Sequence, residues 1–171
     1  APPPPPWSAS GGGVLTNSLA AAQQTVHCAH RPFFVDGVAC FFRDDGLSDL
    51  IGFNYKDWHA QDAVANLVGH LENIGRHCNR NDAVVAIILD GENAWESYPG
   101  NAYDFLQTLY GEIVAHPSLR LTTFSDYLDA FPTAAPSLAH VVAGSWVYGT
   151  FSTWIGDPDK NSAWELLVAA K

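Results

Sequence analysis

Between Asp82 and Asp90 the chain runs through seven consecutive apolar residues, Ala83-Val-Val-Ala-Ile-Ile-Leu89. The run is too short to cross a bilayer, it does not alternate with polar residues, and it is rich in β-branched side chains. It therefore reads as a strand covered on both faces, the kind that parallel sheets contain. Parallel neighbours must be joined by crossovers, which are usually helices. Suitable segments flank the run. Ala63, Leu67, Val68, Leu71 and Ile74 fall at helical spacing over Ala60 to Ile74, with Asp62 near the start. Ala102 to Ala115 places Phe105, Leu106, Leu109, Tyr110 and Ile113 on one helical face. Val38 to Phe42 and Leu119 to Phe124 read as further strands, Ser125 as the N-cap of a helix from Asp126 to Phe131, and Val14 to Gln24 and the stretch from about Ser162 as helices. This alternation predicts an α/β fold, a parallel sheet covered by helices.

In such sheets ligands bind at the carboxyl ends of the strands. Two strand ends here are polar: Arg43-Asp44-Asp45, with Asp49 four residues on, and Asp90-Gly-Glu-Asn-Ala-Trp-Glu96. The second offers three carboxylates and a tryptophan. Breaking a glycosidic bond needs one carboxyl to protonate the leaving oxygen, while aromatic faces hold the sugar rings. Asp90, Glu92, Glu96 and Trp95 are groups of those kinds, although Asp90 and Asn93 can equally cap the following turn. Arg43 can orient a carboxylate bidentately or bind a sugar hydroxyl, or it can simply close a loop with Asp44 or Asp45. Trp146 and Trp154 also lie beside polar loop residues, where a saccharide platform could form.

Composition narrows the partners. Eighteen acidic against eight basic residues give a net charge of −10, which argues against nucleic acid and against anionic membranes, since both need clustered Lys and Arg. No apolar run reaches the roughly 20 residues of a membrane span, no basic start precedes a hydrophobic stretch, and the chain reads as soluble. His27, Cys28 and His30 lie close together but have no second half, so no metal is expected there, and no cofactor fingerprint is present. Cys28, Cys40 and Cys78 include no C-x-x-C pair and read as idle or buried thiols. Five prolines and three glycines within residues 1–13 predict an extended, flexible arm, with residues 14–171 forming a single domain. The absence of methionine implies that residue 1 is not a translational start.

Two strings carry a resemblance. Phe41-Phe-Arg-Asp-Asp-Gly-Leu-Ser-Asp-Leu-Ile-Gly-Phe53 is similar to a segment of glycoside hydrolase family 57 proteins of the amylase and amylopullulanase type. Leu89-Asp-Gly-Glu-Asn-Ala-Trp-Glu96 resembles their fourth motif. Gly144-Ser-Trp146, Phe151-Ser-Thr-Trp-Ile-Gly156 and Asn161-Ser-Ala-Trp-Glu165 are similar to the stretch that follows in the family. The resemblance implies a retaining mechanism on α-glucans, an incomplete (β/α) barrel, and Asp90 as the general acid/base.

The family's nucleophile is a glutamate in a motif that Ala9-Ser-Gly-Gly-Gly-Val-Leu15 resembles, and there Gly12 stands in the glutamate's place. A retaining glycosidase holds its two carboxyls roughly 5 Å apart, one attacking and one protonating. Glycine cannot attack. Three expectations follow: a glycosidase using Asp44, Asp45, Glu92 or Glu96 as the second carboxylate; a non-catalytic saccharide-binding or structural remnant; or a fragment completed by a second copy or another chain.

Overall fold

The computed structural model describes residues 30–78, 80–132, 135–145 and 147–171. The chain divides into two compact units, one spanning Thr25–Ala139 and one that holds His140–Lys171. The arm expected over residues 1–13, the helix expected over Val14 to Gln24, and His27, Cys28 and Trp146 lie outside the described residues.

The first unit opens with a hairpin of β1 (Phe33–Val35) and β2 (Val38–Cys40), antiparallel with Val35 opposite Val38. Its two-residue turn is Asp36-Gly37, with φ of +49° and +82°. A tight hairpin of this kind needs positive φ at both positions, which Gly accepts freely and Asp tolerates. β1 also meets the chain at Ser137 through one parallel bridge, in which Phe34 accepts from Leu138 N and donates to Pro136 O, at 2.8 and 2.9 Å.

Past β2 the chain reaches Asp44, whose side chain caps α1 (Asp45–Asp49) by accepting from Leu47 N. α1 runs on through a wide turn over Leu50–Asn54 and a tight one over Tyr55–Asp57. The long helix α2 (Ala60–Cys78) follows, with Asp62 in its first turn and Arg76 and His77 in its last, both favourable to the helix dipole. α3 (Tyr103–Ala115) and α4 (Phe124–Ala130) complete the unit. The N-cap of α4 is Thr123, which accepts from Asp126 N at 3.1 Å, rather than Ser125. Ser125 is already inside the helix.

The core lies where α2 and α3 face the α1 region. Tyr55, Val64, Leu67 and Phe105 are buried there, and full burial of a residue such as Leu67 stabilises by roughly 1.5–3 kcal/mol.

The expected parallel sheet of several strands is not formed among the described residues. Residues 83–89 form no strand ladder: their backbone meets other backbone at one parallel bridge, Arg43 with Ala86, and at one further bond from Val84 N to His30 O. Residues 119–123 likewise form no strand. A parallel strand acquires its ladder from neighbours on its edges, and among the described residues no second strand runs beside 83–89. Ile88 is 41 % exposed. The described residues are thus a mixed arrangement, dominated by helices and carrying one antiparallel hairpin.

The second unit holds α5 (Pro158–Ala169), capped by Asp157 and starting four residues before the expected Ser162. It buries no residue. Trp164 Nε1 donates to Trp154 O at 2.9 Å, and Leu166, Leu167 and Val168 face solvent. Gly144 lies so close to the Gly149 carbonyl that an added Cβ would approach it to 2.6 Å.

Candidate functional site

The single bridge between Arg43 and Ala86 brings the two polar strand ends side by side. Asp44 N donates to Ala86 O at 2.9 Å, Ile88 N donates to Ser48 Oγ at 3.2 Å, and Arg43 Nε donates to Ile88 O at 2.9 Å. The chain then passes through Leu89 to Asp90.

At the first end every carboxylate has a partner. Arg43 Nη1 donates to Asp45 at 2.5 Å and Nη2 to Asp49 at 2.6 Å. Burial pulls the Arg43 pKa down, but the bonds and charges of Asp49 and Asp45 outweigh it and leave the guanidinium more basic than usual. Asp44 Oδ1 accepts from Leu47 N and Oδ2 meets His30 Nε2, both at 2.8 Å. Burial pushes the Asp44 pKa up. The His30 bond, the Leu47 amide and the charges of His30 and Arg43 pull harder, so it settles below the usual carboxylate range. A carboxyl held in this way keeps its charge and resists protonation.

The second end is different. Asp90, Glu92 and Glu96 are exposed, and their side chains make no hydrogen bond or ion pair among the described residues. Asp90 therefore stands in solvent, and its carboxylate does not cap the next turn. Residues 91–97 form successive turns, with Glu96 N donating to Asn93 O at 3.3 Å and Tyr98 N to Trp95 O at 3.1 Å. Trp95 is half-buried and its ring packs edge-on to Tyr98, 5.6 Å between centroids, and tilted to Phe105 at 6.3 Å. Tyr98 anchors the loop through its hydroxyl, which donates to Ile51 O at 2.5 Å.

A sequence profile, glycosyl hydrolase family 57, matches residues 18–138, well over half of the chain. The chain belongs to glycosyl hydrolase family 57. No curated protein matches it. The matched residues of this family 57 chain include both strings that carried the resemblance, Phe41 to Phe53 and Leu89 to Glu96, and with them both polar ends. Ala9 to Leu15 and Gly144 to Glu165 fall outside the match. Family membership makes a glycosidase-type chemistry the frame for these residues.

Within that frame the site residues separate. Arg43, Asp44, Asp45, Asp90 and Glu92 come from the two adjacent ends, and Trp95 and Glu96 from the same loop as Asp90. Trp154 belongs to the second unit and is 39 % exposed. Among the described residues no group of three or more His, Cys, Asp or Glu side chains is placed to hold a metal ion. Cys78 is disulfide-bonded and not an idle thiol, whereas Cys40 is free. Cys78 Sγ lies 3.6 Å from Nδ1 of His30, whose other nitrogen meets Asp44.

Sequence reasoning missed Ser48 and the pairing of His30 with Asp44. Asp44 three residues before Leu47 is an N-cap spacing and could have been read as one. Nothing local signals a contact between residues 30 and 44, or one between 48 and 88.

Proposed function

We propose that the chain is a glycoside hydrolase or transglycosylase acting on α-glucans, with Asp90 as general acid/base. One observation supports this above the rest: of the acids gathered at the two ends, Asp44, Asp45 and Asp49 are held as charged partners, while Asp90 is exposed and unpaired. An acid/base must take up and release a proton during turnover, which a carboxylate locked to a cation does poorly. Glu92 and Glu96, equally unpaired, are the better placed of the four candidates for the second carboxylate that Gly12 does not supply. Asp44 and Asp45 are already engaged. Trp95, Trp146 and Trp154 are the proposed sugar platforms, and Arg43, with three of a guanidinium's five N–H groups in use, retains donors for a sugar hydroxyl.

The test is release of reducing sugar from starch, maltooligosaccharide and pullulan by the wild type and by Asp90→Asn. Turnover that disappears in the variant supports the assignment. Equal rates remove Asp90 as the acid.

A second reading, completion by a second copy or another chain, is favoured by α5, whose Trp164, Leu166, Leu167 and Val168 are 48–73 % exposed. Large apolar side chains grouped on one exposed helical segment are ordinarily covered by a partner. Light scattering that finds only monomer at high concentration would exclude self-completion.

A further inference from the structure

Backbone pairing beside the acid-bearing segment stops at Ala86, because the neighbouring chain turns into α1 at Asp45 and a helix cannot continue a ladder. Ile88, two residues on, presents its N–H and C=O to the same edge as Ala86. Side chains supply a partner for each. Ser48 Oγ, on a fully buried residue of α1, accepts from Ile88 N, and Arg43 Nε donates to Ile88 O. Arg43 is itself held by Asp45 and Asp49, at the two ends of α1. Two side chains thus stand where a neighbouring strand would, at the last paired position before Asp90.

We infer that Ser48 and Arg43 are positioning residues for the Asp90 loop: by fixing both backbone groups of Ile88 they set the direction in which the chain turns into the acid. The catalytic consequence rests on the reading of Asp90 as acid/base; the geometric one does not. The test uses the full chain, isotopically labelled, as wild type, Ser48→Ala and Arg43→Lys. Lysine keeps the charge facing Asp45 and Asp49 but has no Nε fork to reach Ile88.

Loss of the Ser48 acceptor is expected to speed Ile88 amide exchange about tenfold, with the Leu67 and Phe105 amides unchanged. In both variants the Asp90 carboxyl carbon resonance should move and kcat on maltooligosaccharide should fall about tenfold, at nearly constant KM in Ser48→Ala, which touches no proposed sugar contact. Should Ser48→Ala fail to fold, Arg43→Lys carries the same two readouts. An Asp90 resonance that stays in place in both variants overturns the inference, whatever happens to stability. If the wild type releases no sugar yet the resonance moves, the acid assignment falls and the positioning stands. If the wild type turns over and the variants keep its kcat, the positioning falls and the acid assignment survives.

Discussion

The two polar ends of this chain have similar inventories and opposite fates. Each follows an apolar segment and each carries three carboxylates, yet Asp44, Asp45 and Asp49 are all bonded while Asp90, Glu92 and Glu96 are all free of partners among the described residues. The difference lies in what stands beside them. The first end has a cation, Arg43, a histidine, His30, and the first turn of α1 with its unsatisfied amides. The second is followed by consecutive turns that offer no cation. Acidic composition at a strand end therefore does not identify chemistry; the carboxylates open to it are those that the neighbouring structure does not require.

The largest expected effect tests that division directly. On the proposed function, Asp90→Asn should lower glucan turnover by several orders of magnitude, because an amide cannot replace a general acid. Its stability should stay within about 0.5 kcal/mol of wild type, since an exposed, unpaired side chain is replaced. Asp44→Ala should do the reverse at the level of the fold. Removing the cap costs about 1 kcal/mol, and losing the Asp44–His30 bond adds a cost of similar size, so urea denaturation should report a loss of roughly 2 kcal/mol. If Asp90→Asn destabilised the chain as much as Asp44→Ala, the contrast between the ends would be wrong.

Acid titration sharpens the same contrast. The folded-state pKa of Asp44 is lowered, so folding favours its charged form. The stability this provides is fully present above the ordinary carboxylate range and is lost as pH falls through the lowered folded value. Wild type should accordingly exceed Asp44→Asn in stability at neutral pH, and the two should converge in acid. A gap that is constant with pH would mean that the asparagine differs for reasons other than charge.

The helices were legible in the sequence because their signals are local. The apolar spacing of Ala63, Leu67 and Phe105 needs no knowledge of what they pack against, and α2 and α3 lie where that spacing puts them. The hairpin was missed, although Asp36-Gly37 between two apolar runs is a turn signal: Val38 to Phe42 was read as a separate buried strand, and Phe33–Val35 was not read as one. Residues 83–89 mark the limit. Their pattern states what they need, cover on both faces, but a ladder also requires neighbours, and periodicity within one segment cannot reveal whether those are present. The site divides in the same way. The acids were visible as residues, and Arg43 as a loop-closing partner of Asp45, but the meeting of His30 with Asp44 and of Ser48 with Ile88 was fixed only by folding.

The smallest effect separates a network from a set of pairs. Arg43 is shared by Asp45 and Asp49, whose side chains are 48 % and 44 % exposed, against 23 % for Arg43. Removing either carboxylate alone leaves the guanidinium one charged partner and the Ile88 carbonyl, and for pairs this exposed each single change should cost under about 1 kcal/mol. The double variant Asp45→Asn/Asp49→Asn leaves a half-buried cation beside two amides, so its cost should exceed the sum of the singles by about 0.5 kcal/mol or more. Urea denaturation of all four proteins measures this coupling. Simple additivity would mean that the two carboxylates act independently, and the first end would then be a pair of surface ion pairs instead of a clamp that keeps its acids from chemistry.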